Sequence, residues 1–529
     1  MEGPDKGLWI DAIKKEIQNF LKRNAWIKTS RKKMLAEGRK AIGTKHVFKI
    51  KNEHDGSVRY KDRIVMKGFM AIPGVDYTES FSPVVTDATT RIMITIYMNK
   101  TGDGWIIEMI DFEAAFLNSD IHRDIYVEYP KGMVELGFMT EKERQESVAK
   151  LGRSMYGSVD ASLQWFLTLT GFLRKELKMK QSKADPCVFY KQVNGRTTLI
   201  MGITVDDSLL IGDKHEVEWI KAAIQKRFKI TDLGKLSKHL GVRYDFMTDE
   251  NGDQKIDAHM NDYEEEMIKK QEDYRGTTLK EEETPALQGT FLLKNKEDPI
   301  DETAYRSIVG KIMHWTRKLA PETANATREL SQHMKSPNNS HWKAVDRFIG
   351  YVKRQRGSKL SYRTPKEFRV IAYFDANYSK NTDDRKSVTG FYETIDGRCT
   401  ISYGSNTQKT VSLSTTEAEY QACSKLCQNI RFTHQLVEEI MGKGFLKKPA
   451  IVYGDNKGAN FLIHNSQVGP RTRHVDIRHH WIRDLQRDGE IDVLYRDTER
   501  MIADIGTKNT DNKTFMNHTR AMREGLVER

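Results

Sequence analysis

At the start of the chain, apolar residues recur at helical spacing. Trp9, Ile13, Ile17, Phe20 and Leu21 fall on one face of an amphipathic helix predicted between Leu8 and Ile27. From Lys45 to Lys67 the period shortens to two. H-V-F-K-I-K-N, the turn residues Glu53–Ser57 and V-R-Y-K-D-R-I-V-M-K-G predict a β-hairpin with a basic second strand. Between 87 and 250 strands and helices mix: the apolar runs at 105–111 and 198–207 both end in acid, and 161–177 reads as a helix between them. Residues 251–300 are rich in Asp, Glu and Lys, with K-E-E-E-T-P at 280–285, which predicts a boundary or a mobile connection. Helical spacing returns over 303–357, carried by Ile308, Ile312, Met313 and Trp315, then by Trp342, Val345, Phe348, Ile349 and Val352. A last α/β unit starts near 366. It runs through a strand ending at Asp375, hairpin strands over 387–413, a long helix from 414, the strand A-I-V-Y-G-D-N and further helices.

Length and composition narrow the classes. At about 100–200 residues per domain, 529 residues predict three or four units. Hydrophobic residues, 38% of the chain, suffice to fill their cores and argue against wholesale disorder. The longest clean apolar stretch, near 199–205, falls far short of the roughly 20 residues a membrane helix needs. The N-terminal segment is charged and lacks an apolar signal core. Four cysteines are too few for a disulfide framework and point to a reducing compartment. Charge adds a direction: 86 Lys and Arg against 74 Asp and Glu leave +12, a surplus that attracts polyanions, of which nucleic acid is the commonest.

Two groups of carboxylates carry candidate chemistry. The first is Asp111 with the adjacent pair Asp206 and Asp207, each at or just beyond the end of an apolar strand. Carboxylates crowded beside one another repel and are costly to desolvate, which invites a divalent cation. Hard oxygen ligands suit Mg²⁺, and two such ions about 3.5–4 Å apart hold the attacking and leaving oxygens of a phosphoryl transfer. The second group is Asp375, Glu419, Asp455 and Asp504. On the long helix the apolar stripe Cys423, Leu426, Cys427, Ile430, Val437 runs on from Glu419, whereas Glu417 lines up with polar Gln421, Ser424 and Gln428. Glu417 is therefore read as a capping residue with Ser414, and Glu419 as the functional acid. Cys423, Cys427 and His434 lack a fourth ligand and are read as core. Glu264–Glu266 reads as a solvated helix face.

These residues sit within a colinear series of motifs. Y-K-D-R-I-V-M-K-G-F (60–69), V-D-Y-T-E-S-F-S-P-V (75–84), I-D-F-E-A-A-F-L-N (110–118) and V-D-D (205–207) resemble the reverse transcriptase of Copia-type (Pseudoviridae) LTR retrotransposons. Y-R-S-I-V-G (305–310), D-R-K-S-V-T-G (384–390), S-T-T-E-A-E-Y (414–420), G-D-N-K-G-A (454–459), R-H-V-D-I-R-H-H (473–480) and A-D-I-G-T-K (503–508) resemble that family's connection and ribonuclease H region. The resemblance runs from about residue 9 to 508. It implies an α+β multi-domain fold: fingers and palm over 1–250, thumb and connection over 251–365, and an α/β ribonuclease H-like domain over 366–529. The implied activity is RNA- and DNA-directed DNA synthesis together with cleavage of the RNA strand of RNA–DNA hybrids, on a segment of a longer Pol polyprotein.

By that likeness Asp111, Asp206 and Asp207 are the polymerase metal acids, and Asp375, Glu419, Asp455 and Asp504 those of the nuclease, with two Mg²⁺ per site and Mn²⁺ as a substitute. Lys61, Arg63, Phe112, Phe116 and Asp160 would meet the nucleotide, Phe116 by blocking a ribose 2′-hydroxyl. Leu240 and Gly241 would grip the primer terminus. Arg471, Arg473 and Arg478, with Lys311, Lys353, Arg354 and Arg356, would form a basic track for the hybrid between the two sites. The implied partners are an RNA template, a DNA primer, the hybrid and dNTPs, with no membrane and a homodimer left open. The implied location is the cytoplasm, within virus-like particles, or the nucleus.

The sequence departs from the family at Thr204, where an aromatic residue usually precedes V-D-D, and at Asp160, where a glutamine normally touches the nucleotide. An acid there would repel phosphate. The tails of two further motifs differ, at Leu319–Glu322 and at Asn509 and Thr510. Two other readings therefore stay open: a domesticated hybrid-binding protein, and a nuclease whose polymerase half serves as a clamp.

Overall fold

The computed structural model describes residues 5–52, 58–121, 123–249, 252–294, 298–378, 383, 385–465 and 480–527. The first helix, Lys6–Lys22, buries Ile13, Ile17 and Phe20. It stops short of the predicted end because Asn24 turns into the left-handed region, with φ 51°. Trp26 then opens a strand, Trp26–Ser30, and stacks its ring on Phe20 at 4.4 Å. The expected hairpin forms from Thr44–Asn52 and Val58–Met66, in register from Thr44↔Met66 to Asn52↔Val58. Its predicted turn, 53–57, lies outside the described residues.

A six-stranded antiparallel sheet follows, in the order Ile230–Lys235, Trp105–Phe112, Asp207–Asp213, Arg196–Ile203, Val188–Val193, Lys180–Gln181. Among the described residues three helices pack against it, including Lys214–Gln225, which buries Val217, Ile220 and Ile224. Asp87–Lys100 is buried on every face from Thr89 to Met98, the pattern of a helix enclosed in a core. Ala161–Lys175 turns Trp165, Leu169, Phe172 and Leu173 inward.

Residues 251–300 correct the sequence reading. In place of a mobile connection, Gln254–His259 is a strand and Asn261–Arg275 a helix. The strand joins a four-stranded sheet with Lys238–His239, Val242–Thr248 and Leu360–Arg363. Charge hides the helix's inward residues Met267 and Ile268 from a composition-based reading. Glu264, read as solvated, is fully buried: its carboxylate accepts from the Trp315 indole at 2.9 Å and the Gly357 N–H at 3.3 Å. Glu265, Glu266 and Glu272 pair with Arg356, Lys311 and Lys353 at 3.2, 2.7 and 2.8 Å. Arg354 lies 3.5 Å from Glu283. All four of these expected track residues thus have acid partners within the protein.

The C-terminal unit is a five-stranded sheet in the order Cys399–Thr407, Val388–Ile395, Arg369–Asn377, Lys447–Gly454, Ile491–Tyr495. The first three strands are antiparallel; the last two run parallel to the central one. The long helix Thr415–Met441 crosses this sheet. The architecture is accordingly α+β as expected, an antiparallel-sheet unit followed by a mixed-sheet α/β unit.

The two sheets share one core. Buried side chains run without a break from Ile92 and Ile96 through Ile308, Trp315 and Phe348 to Tyr373 and Ile401. Polar contacts fix the junction. Asp87 accepts from Arg317 at 2.6 Å and Lys318 at 2.5 Å. Buried Arg91 donates to the carbonyls of Ile401, Arg317 and Lys318 at 3.2, 2.7 and 3.1 Å, and to the Tyr403 hydroxyl at 3.1 Å. At the end of the long helix, one carboxylate oxygen of Glu439 accepts from Ser182 Oγ and the N–H groups of Lys183 and Ala184 at 2.6, 2.8 and 3.2 Å.

A buried acceptor without its donor costs about 1–3 kcal/mol. Arg91→Ala orphans carbonyls on both sides of the junction, so a loss of about 2–4 kcal/mol is expected. Urea unfolding checks this, and an unchanged midpoint would show that Arg91 does not bind the units together.

Candidate active sites

The first site is built by strand register. Asp207 opens its strand directly opposite Asp111, and Asp206 stands exposed in the turn before it. Local hydrogen bonds shape that turn. The N–H and hydroxyl of Thr204 donate to the Asp207 carbonyl at 2.9 and 2.5 Å. The Phe112 N–H donates to the Asp206 carbonyl at 2.8 Å, and the Trp165 indole N–H to that of Val205. The threonine, at the position where the resemblance expects an aromatic, therefore braces the hairpin with its hydroxyl.

The nucleotide-facing residues divide. Phe112 is a correction: its ring is buried, 5.1 Å from Trp165 and 6.1 Å from Phe228, so its side chain supports the site from the core and offers a nucleotide nothing. Phe116 is half-buried with its ring 5.1 Å from Tyr156, and the Arg63 guanidinium lies 5.5 Å from that same Tyr156 ring. Burial foremost pushes the Tyr156 phenol up to about 12, with a contribution from the Asp206 charge and an opposing one from Arg63. Arg63, Tyr156 and Phe116 thus form one cluster beside the acids. Lys61, two residues from Arg63 on the same strand, projects from the same face.

Sequence reading missed Tyr156. The signal was the glycine after it: Gly157 has φ 84°, and a Cβ there would stand 2.2 Å from the Met66 carbonyl. The Tyr156 carbonyl in turn accepts from the Met66 N–H at 2.8 Å, locking the basic hairpin onto this loop.

Asp160 corrects the expectation of an acid facing phosphate. It is buried at the N-terminal end of the Ala161–Lys175 helix and accepts from Gln164 Nε2 at 3.2 Å. A helix N-terminus favours negative charge, which suits an acid at this position. Leu240 and Gly241 form a two-residue hairpin turn with φ 49° and 88°, the left-handed pair of a type I′ turn. A leucine in that region is strained, and such strain concentrates at functional turns.

The second site gathers acids from four places in the fold. Asp375 lies on the central strand, Glu419 on the long helix, Asp455 just after its strand and Asp504 in the short 3₁₀ turn Ile502–Gly506. One carboxylate oxygen each from Asp375, Asp455 and Asp504 lie within 4.8 Å of one another. Glu419 is buried, and burial, then the charges of Asp375 and Asp455, hold its carboxyl well above the usual range. Glu417 instead caps the helix: its N–H donates to Ser414 Oγ at 3.1 Å and its carboxylate accepts from the Leu413 N–H at 2.7 Å.

Two neighbours complete the site. The Thr507 hydroxyl donates to Asp375. The Lys508 ammonium lies 3.0 Å from Asp504 Oδ2 and 3.7 Å from Asp375 Oδ2. Glu419 Oε2 and Asp504 Oδ1 are buried without a hydrogen-bond partner. Hard oxygen donors with orphaned buried atoms fit a divalent cation.

Elsewhere, Cys423 and Cys427 pack in the core with sulfurs 3.9 Å apart, and His434 pairs with Glu490 at 3.1 Å. Arg471, Arg473 and Arg478 lie outside the described residues.

Comparison with known proteins places residues 28–285 in the family model described as "Reverse transcriptase (RNA-dependent DNA polymerase)". The Retrovirus-related Pol polyprotein from transposon TNT 1-94 of Nicotiana tabacum is 30% identical over 522 residues, 97% of this chain and 37% of that protein. The Retrovirus-related Pol polyprotein from transposon RE2 of Arabidopsis thaliana is 29% identical over 488 residues, 90% of this chain and 32% of that protein. The chain therefore spans about a third of the length of these curated relatives. Among solved structures, a foamy viral protease-reverse transcriptase in complex with RNA/DNA hybrid aligns with TM-score 0.48 at 11% identity, covering 92% of this chain and 53% of that one.

Burial first, then the Asp375 charge, push the Asp504 carboxyl up to about 8. In an unfolded chain it titrates near 4, so between about pH 4 and 8 the folded state holds a proton that the unfolded state releases. Without divalent cations, stability is therefore expected to fall as pH rises through that window, by up to ~1.4 kcal/mol per pH unit. Asp504→Asn should flatten the slope in urea unfolding followed against pH. A slope unaltered by that change would refute the assignment.

Proposed function

Residues 28–285 belong to the reverse transcriptase (RNA-dependent DNA polymerase) family, the chain is a homologue of Copia-type Pol polyproteins over most of its length, and from that premise we propose a two-site enzyme of retrotransposon cDNA synthesis. One site extends a DNA primer on an RNA or DNA template; the other cleaves the RNA strand of the resulting hybrid. The observation that carries this reading is the pair of separate carboxylate sites on one continuous core, the first beside a basic, aromatic cluster.

Asp111, Asp206 and Asp207 would hold Mg²⁺ at the polymerase site, as Asp375, Glu419, Asp455 and Asp504 would at the nuclease, with Mn²⁺ a substitute. There the cation supplies a lowered pKa to the attacking hydroxyl or water and neutralises charge developing on phosphate. The protein's own part is positioning. Lys61 and Arg63 would meet the incoming triphosphate from the hairpin strand. The Phe116 ring, backed by Tyr156, would close the space a ribose 2′-hydroxyl needs. The Leu240–Gly241 turn would present backbone to the primer end. Hybrid recognition would rest on phosphates and 2′-hydroxyls.

A polymerase-impaired reading rested on Asp160 and Thr204. Asp160 is paired and buried, and Thr204 braces the catalytic turn, so neither residue favours it.

The test follows a DNA primer and a 5′-labelled RNA template on one gel with dNTPs and Mg²⁺. Asp206→Asn should abolish extension and spare RNA cleavage in preformed hybrid, while Asp455→Asn should do the reverse. Loss of both activities from either change in a folded protein would overturn the two-site assignment. Phe116→Ala should raise ribonucleotide use relative to deoxynucleotide by about tenfold or more in single-nucleotide insertion. Unchanged discrimination would remove Phe116 from the sugar pocket.

A further inference from the structure

The nuclease acids concentrate four carboxylates at one end of a sheet, three of them nearly fully buried. Lys508 is the cation that, among the described residues, pairs directly with this cluster. Its backbone is fixed: the Lys508 N–H donates to the Asp504 carbonyl at 3.0 Å. That bond leaves the side chain to reach across the mouth of the site, where its ammonium bridges Asp504 and Asp375 at 3.0 and 3.7 Å. The cluster's other side is furnished differently. Asp455 accepts a hydrogen bond from the Thr498 hydroxyl at 2.9 Å, and Glu419 Oε2 has no hydrogen-bond partner. Among the described residues, one side of the acid cluster therefore carries a tethered positive charge, and the other is met by the Thr498 hydroxyl.

We propose that Lys508 is a built-in counter-ion that occupies the Asp375–Asp504 side of the nuclease site and competes there with a divalent cation. The inference rests on the metal-dependent reading of these acids given above. A single charge on a flexible four-carbon stem neutralises the acids while the site is idle and is displaced when a doubly charged ion arrives. The Glu419–Asp455 side accepts a cation without such competition. Free protein then takes up a first cation readily and a second only against the ammonium, so full loading waits for the added negative charge of a bound nucleic-acid phosphate. Lys508 acts as a positioning residue, through the carboxylates and not on the scissile bond.

The test uses the full chain carrying Asp111→Asn, Asp206→Asn and Asp207→Asn, which removes the polymerase acids from the readout. Mn²⁺ binding is titrated calorimetrically without nucleic acid for this parent and for Lys508→Met and Lys508→Arg added to it. Lys508→Met should bind Mn²⁺ about tenfold or more tightly, with one further ion per chain, because a competing charge is gone. Lys508→Arg, which keeps the charge, should behave as the parent. Equal affinity and stoichiometry in the methionine variant and the parent would overturn the inference.

Thermal unfolding separates charge from packing. Lys508→Met should lower the midpoint in EDTA, and saturating Mn²⁺ should close the gap. A gap of the same size with and without Mn²⁺ would reduce Lys508 to a packing residue and overturn the proposal. Finally, if Asp455→Asn left Mn²⁺ binding by the parent untouched, the nuclease metal site itself would fall, and the inference with it.

Discussion

Carboxylates crowded together repel, and every element of this fold near its two acid groups answers that repulsion. Like charges a few ångströms apart raise one another's affinity for protons, and burial adds to the effect. In the six-stranded sheet the answer is solvent and geometry: Asp206 stands exposed on a turn, and the register places Asp111 and Asp207 on adjacent strands half-open to water. In the five-stranded sheet three of the four acids are nearly closed off, and the answer is Lys508 together with the Thr507 hydroxyl. One chain thus solves the same electrostatic problem by two routes.

Neither arrangement holds unless the scaffold behind it is stiff. The acid-bearing turn at 204–206 is held by donors from Thr204, Phe112 and Trp165, each of which is fixed in turn by the sheet or by packing. The hairpin bearing Lys61 and Arg63 is locked to the loop at Gly157, where no side chain fits. At larger scale Arg91 and Glu439 tie the two sheets at separate points, and the shared core makes their relative placement a property of the fold. Two sites held on one core can address the same nucleic acid only at a fixed separation, which is a constraint on any substrate that spans them.

Much of this was legible before the structure, because strong periodicity belongs to long elements. The basic hairpin, the acid-ended strands, the helix at 161–175 and the long helix at 415–441 follow their apolar patterns closely. The choice between Glu417 and Glu419 came from helical phase, and the structure places Glu417 in the cap and Glu419 among the acids. What stayed hidden depends on distant partners. The Asn261–Arg275 helix is so charged that its inward residues do not stand out, and Glu264 looks solvated until Trp315 is seen to cover it. Phe112 resembles its neighbour Phe116 in sequence, yet strand alternation sends its ring into the core. Four of the expected track residues are a similar case: Lys311, Lys353, Arg354 and Arg356 face acids contributed by chain segments far away in sequence.

The contrast between the two acid groups bears on how such an enzyme would be governed. An open, solvated group binds a divalent cation with little rearrangement, because water already shields the repulsion. A buried group closed by a lysine binds only as the lysine yields, so its occupancy depends on whatever else brings charge to the site. On the proposed two-site reading, the nuclease would act on the product the polymerase has just made, and its early action would be wasteful. Coupling full cation occupancy to a bound phosphate backbone would then restrain the nuclease until a hybrid is in place. The sequence carries that restraint in Asp504 and Lys508, four residues apart on one turn, and it acquires its meaning only when the fold brings Asp375 to meet them.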